Sequence, residues 1–161
     1  MCWQCEHPDR TAGDYLQEVV LPRVASSGWL VQAVTVDRLH APFSYTVGLT
    51  GLGLPELVVT GLRARPAAVL LNGVAEHACH AAPPEHGEVV DLDDGTRLEA
   101  VDLPHPDAHL FVAQEVYGAA VRAMQLVWAD DRGRWPWERG HRGGRGGQPV
   151  LGPRAVQEPA R

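Results

Sequence analysis

The 161-residue sequence has no lysine and no isoleucine, a single asparagine (Asn72) and only three serines (Ser26, Ser27 and Ser44). The first two gaps fit a GC-rich coding bias, so the fact that every basic residue is arginine carries no functional weight. Scarce serine, with no Gly-x-Ser-x-Gly and no phosphate-binding glycine loop, argues against serine catalysis and nucleotide hydrolysis. Long apolar runs are also missing. The longest uncharged stretch, Leu39 to Pro55, is interrupted by Pro42, Gly48, Gly51 and Gly53 and is too short to span a bilayer, so no membrane contact is expected. The N-terminus lacks the basic and apolar regions of a secretory signal, which makes a cytoplasmic location the expectation. Three cysteines, an odd number, favour metal ligation or unpaired thiols over a disulfide framework.

What is present is ordinary for a globule: 45% apolar, 21% charged, and enough length for one core without staples. The net charge of −6 argues against general nucleic-acid binding. That charge is unevenly distributed. Residues 1–131 carry seven arginines and eighteen carboxylates, −11, whereas residues 132–161 carry seven arginines and two carboxylates, +5.

Local signals predict the elements. Thr11 and Asp14 form a capping pattern ahead of Leu16, Val19, Val20 and Val24, Pro22 predicts a kink, and Gly28 a stop. Trp29 to Val36, Phe43 to Leu49 and Glu56 to Gly61 read as strands. Pro66 opens a helix over Ala67 to His80 with Val69, Leu70, Val74 and Ala78 as its core stripe. Asp94-Gly95 marks a hairpin between Glu88 to Leu92 and Arg97 to Val101. Asp107 is the expected cap of a short helix through Tyr117, and Val121 to Trp128 the last strand. This order lacks strict strand–helix alternation, so the expected fold is α+β: one mixed, largely antiparallel sheet of about six strands, about three helices on one face, and an Arg/Gly-rich C-terminal tail packed on the body. The whole chain, 1–161, reads as a single domain: a Cys/His turn (1–10), an α+β body (11–131) and the tail (132–161).

Three groups of residues carry candidate chemistry. Cys2, Cys5 and His7 supply two thiolates and an imidazole for tetrahedral zinc, with His77, Cys79 or His80 as fourth donor and His80 preferred. A packed or solvated N-terminal turn is the competing reading. Thioredoxin-like redox chemistry would need a strand before Cys2, and a free α-amine on Cys2 is a remote nucleophile. The spacing of His77 and His80 does not match a metalloprotease helix. His40, Tyr45 and Glu56 are the polar residues expected to border a pocket, against a purely structural role. In the tail, Trp135, Trp137, Arg142 and Arg145 suit base stacking and phosphate contact. The competing reading has the tryptophans, Val150 and Leu151 docking on the acidic body while arginines meet its carboxylates. Asp130, Asp131 and Glu138 read first as a turn.

Phe43 to Thr50 (FSYTVGLT), Pro55 to Leu62 (PELVVTGL), Gln125 to Trp128 (QLVW) and Arg134 to Trp137 (RWPW), in this order, make the chain resemble the bacterial family called domain of unknown function 4262. The Cys2-to-Pro8 start and Gly143-to-Gly152 end are similar to its actinobacterial members. The resemblance implies one domain that includes the tail, and it implies no substrate or catalytic residue. The favoured expectation is a cytoplasmic binding or interaction domain, with zinc stabilisation and homo-oligomers both left open. The alternatives are a small metal- or cofactor-dependent hydrolase, or RNA contact confined to the tail.

Overall fold

The computed structural model describes residues 3–35 and 40–155, which places Cys2 and Val36 outside the described residues. A single turn, α1 (Trp3–Glu6), precedes the first long helix. That helix starts where the capping pattern predicts. Thr11 Oγ1 accepts the Asp14 N–H at 3.2 Å, and the Asp14 carboxylate accepts the Thr11 N–H at 2.7 Å. The helix then runs without a break through α2 (Ala12–Tyr15), a π turn (Leu16–Val20) and α3 (Leu21–Ser27). Pro22, which has no N–H to donate, falls in the first turn of α3, directly after the π turn. Gly28 ends the helix at φ 84°.

Six strands follow: β1 (Leu30–Val34), β2 (Phe43–Val47), β3 (Glu56–Thr60), β4 (Val89–Asp91), β5 (Arg97–Asp102) and β6 (Ala123–Trp128). They form one sheet in the order β1-β2-β3-β6-β5-β4. Only β3 and β6 are parallel, with Leu57 opposite Met124 and Val58 opposite Gln125. Every residue of β3 is buried. A central strand of that kind requires cover on both faces.

Both faces are covered, which corrects the expectation of helices on one side. The long helix α4 (Ala64–His80) packs on Leu57, Val59, Leu98, Ala100 and Leu126. The N-terminal helix and α5 (Phe111–Tyr117) pack on Tyr45, Val47, Val58 and Ala123. Adjacent residues of β3 therefore serve opposite cores, as the two-residue period of a strand demands.

Two further expectations are corrected. The buried stripe of α4 is Ala67, Leu71, Val74, Ala75 and Ala78, whereas Val69 is 70% exposed and Leu70 half-buried. The helix is held in this rotation on one flank by Asn72, whose Oδ1 accepts the Trp29 indole N–H at 3.0 Å. The helix α5 is not capped by Asp107, which lies in a separate 3-10 turn, Pro106–Ala108. Its first-turn Val112 N–H instead donates to the buried Tyr45 hydroxyl at 3.2 Å.

The tail closes what the helices leave open on the N-terminal helix's side of the sheet. The Gln125 side chain, fully buried on β6, accepts the Leu151 N–H at 2.7 Å and donates to the Pro149 carbonyl at 2.8 Å. Gln148 does the reciprocal job, accepting the Trp128 N–H and donating to the Trp128 carbonyl, both at 2.8 Å. Each glutamine amide thus stands in for a strand's backbone. Thr60 Oγ1 adds a bond to Pro149 O at 2.7 Å. The approach is close enough that a Cβ on Gly152 would be driven into the Asp102 carbonyl oxygen.

Gly152→Ala is accordingly expected to lift the tail and cost about 2 kcal/mol in urea unfolding. Gly73→Ala, in an exposed helical position with open space around its Cβ, should instead stabilise by about 0.5–1 kcal/mol. Equal effects from the two would contradict an integral tail.

Candidate ligand groove

The residues expected to border a pocket are not gathered into one. Glu56 is fully buried and its carboxylate accepts four hydrogen bonds: from Thr46 Oγ1 (2.6 Å), the Gly48 and Thr50 N–H groups (3.0 Å each) and Thr50 Oγ1 (2.8 Å). It therefore organises the turn after β2. Tyr45, on the same side of the sheet, caps α5, and burial pushes its hydroxyl up to about 12. His40 is exposed and precedes β2 at the end paired with Thr60, whereas Glu56 lies beside the far end of that strand. A strand of this length separates them by at least about 13 Å.

The cysteine and histidine donors are likewise dispersed. Cys2 lies outside the described residues. Cys5 and His7 are exposed, with His7 Nδ1 donating to the Trp3 carbonyl at 3.0 Å and its ring stacked on Trp3. Trp3 in turn meets Tyr15, which belongs to the core beneath the N-terminal helix. His80 ends α4, on the other side of the sheet, and donates from Nδ1 to the Glu76 carbonyl at 2.8 Å. Among the described residues no three His, Cys, Asp or Glu side chains form a metal-holding group, so His80 is not brought to Cys5 and His7. Partial burial and the Glu76 carboxylate raise the Cys79 thiol, the reverse of an activated nucleophile.

In the tail, Trp135 and Trp137 stack on each other at 5.5 Å. The Arg97 guanidinium lies 5.9 Å from Trp135 and that of Arg154 3.5 Å from Trp137. Arg154 also approaches the buried Glu99 carboxylate at 3.6 Å, and Arg142 lies over Trp128. Arg145 is exposed. The turn expected at Asp130 is the anchor of this segment. Burial of Asp130 opposes its ionisation, but the backbone N–H groups of Arg134, Arg142 and Arg132 and the Arg134 side chain outweigh that and hold the carboxyl well below its usual range. Glu138 accepts the Trp135 N–H at 2.6 Å, within the same turn system.

A concavity lies on the face carrying α4. The helix seats mainly over β1 to β3 and stands apart from the β4–β5 hairpin. A groove of about 970 Å³ results. Pro66, Val69, Leu70, Gly73 and His77 make one wall, a stripe adjacent to the buried one. Val90, Leu92 and Leu98 make the other, with Leu126 and Trp128 at the base. Its charged groups are Glu88, Asp91, Asp93, Asp94 and Asp131, with His77, and no arginine lines it. Asp91 pairs with Arg97 at 2.8 Å, and Asp94, lowered by hydrogen bonds from Thr96, caps the hairpin turn. Asp93 and Asp131 are exposed. Sequence reasoning missed this site. Its available signals were the apolar surplus of Val69 and Leu70 beside a complete core stripe, and the acidic Asp91-Leu92-Asp93-Asp94 run.

These features define an α+β domain with a doubly covered mixed sheet and an acid-rimmed apolar groove. The chain belongs to the family described as Domain of unknown function (DUF4262), which matches residues 23–142. No curated protein matches it, and neither does any solved structure. Among the described residues no helix is long and apolar enough to cross a membrane.

Two measurements check the assignment of Glu56 and Asp130 to structure. Glu56→Ala strands four buried or half-buried donors and should cost about 3 kcal/mol in urea unfolding, with Glu56→Gln costing less. Asp130 has a folded pKa below its unfolded one, so its stabilisation is complete above the unfolded value and fades as pH falls through the folded one. The melting-temperature gap between the wild type and Asp130→Asn should therefore be full at pH 7 and narrow only in strong acid, below about pH 4. A gap that vanishes by pH 5 would contradict the anchor.

Proposed function

We propose that this protein is a non-catalytic binding domain whose ligand site is the groove between α4 and the β4–β5 hairpin. One observation carries the reading. The lining is apolar along its walls and base, and its carboxylates are grouped on β4, the following turn and Asp131. Ligand sites typically combine an apolar enclosure of this size with a few polar groups that orient the occupant. A catalytic constellation would need a nucleophile or base within reach of an orienting partner. The buried Glu56 carboxylate is taken by four neutral donors, whereas the buried Glu99 carboxylate faces Arg154 at 3.6 Å through one oxygen and leaves the other without a hydrogen-bond partner.

The surplus of carboxylate on the body supports a surface-recognition role over a nucleic-acid one. Trp135, Trp137, Arg97 and Arg154 contact one another, which supports the tail as a structural strap.

Nile red, an uncharged solvatochromic dye, tests the groove without involving charge. It should brighten on the wild type and on Gly73→Ala, and should lose most of that response with Gly73→Trp. The Gly73 Cβ position is open, so the indole fills the groove without displacing the core. Equal brightening on all three proteins would refute the site.

A further inference from the structure

We infer that the groove receives a basic amphipathic helix from a partner protein, a deepening that rests on the binding role proposed above. Its dimensions come first. The wall from Pro66 to His77 spans twelve residues of α4, about 17 Å or three helical turns. A volume of about 970 Å³ lies at the upper end of the roughly 300–1,000 Å³ usual for small-molecule sites. Val69, on its rim, is 70% exposed. The site is thus a long trough of the kind into which a helix lays side chains at i, i+3 or i+4, and i+7. Exposed Val69 and half-buried Leu70, Val90, Leu92 and Trp128 offer the apolar surface that such anchors need.

Charge complementarity fixes the sign of the partner. Five carboxylates border the groove, and among the described residues Asp91 alone of them is ion-paired, by Arg97. No arginine lines the groove; Arg142, stacked over Trp128 at one end, is held through its backbone N–H by Asp130. Of the tail's other arginines, Arg134 is paired with Asp130, and Arg154 lies against Glu99 and Trp137. An acidic or neutral helix would leave Asp93, Asp94 and Asp131 desolvated beside apolar surface with no counter-charge. A Lys/Arg-flanked helix gains apolar burial and charge pairing together.

The probe is a synthetic helix of about fourteen residues with Leu at i, i+3, i+4 and i+7 and Lys elsewhere, compared by fluorescence anisotropy with its Leu/Glu counterpart. The Leu/Lys peptide should bind at least about tenfold more tightly and weaken with added salt. Gly73→Trp should abolish binding. The Asp93→Asn/Asp131→Asn double variant, which touches two exposed side chains, should weaken it roughly tenfold while leaving the Nile red response unchanged. Equal affinity for the two peptides would overturn the charge argument, and binding that survives Gly73→Trp would mark non-specific attraction to an acidic body. Displacement of Nile red by decylamine but not by the peptide would replace the helix with a small cationic amphiphile, leaving the groove intact. Loss of the Nile red response itself would instead remove the binding site on which this inference depends.

Discussion

The parallel pairing of β3 with β6 governs the rest of the molecule. It places two almost fully buried strands in the middle of a six-stranded sheet and so demands cover on both faces. The chain has too little helix to supply it. On one side α4 reaches across β1 to β3 and stops; on the other, the N-terminal helix and α5 do the same. The tail finishes the second side. On the first, α4 stands apart from the β4–β5 hairpin, and the space between them is the groove.

The tail's method of closure is as informative as its position. It adds no strand to the sheet. Instead Gln125 and Gln148 exchange amide hydrogen bonds with each other's backbone neighbourhoods, and Thr60 contributes a hydroxyl. Buried amides that are fully partnered specify one arrangement, because any shift leaves several groups unsatisfied at once. Asp130 and the close pass of Gly152 fix the ends of that segment. The opposite charges of tail and body are joined at particular pairs, Arg134 with Asp130 and Arg154 with Glu99, rather than spread as a general attraction.

Features decided by neighbouring residues were legible in the sequence. The Thr11–Asp14 box, the Gly28 stop and the Asp94-Gly95 hairpin all appear where expected because each depends on a few adjacent residues. The α+β class was legible for the same reason. Features decided across the chain were not. The stripe of α4 was misassigned by about half a face, since Asn72 reaches back to Trp29 and periodicity alone gives no account of that. The cap of α5 comes from Tyr45, in β2, and the partner of Thr60 from Pro149, in the tail. Glu56 looked like a pocket acid because its type and strand-edge place suit one; only the fold shows its lone pairs already taken. The groove was hidden in plain composition, as apolar residues beyond what one core stripe requires.

The account's central claim is that the two faces of one sheet are completed differently, one by the chain's own tail and the other by a partner. Amide chemical-shift mapping during titration with the Leu/Lys peptide tests this most directly. The claim predicts perturbations concentrated on α4 from Pro66 to His77 and on the facing β4–β5 hairpin, with the Gln148-to-Leu151 amides unmoved. Perturbations centred on the tail, or spread evenly over the acidic surface, would contradict it.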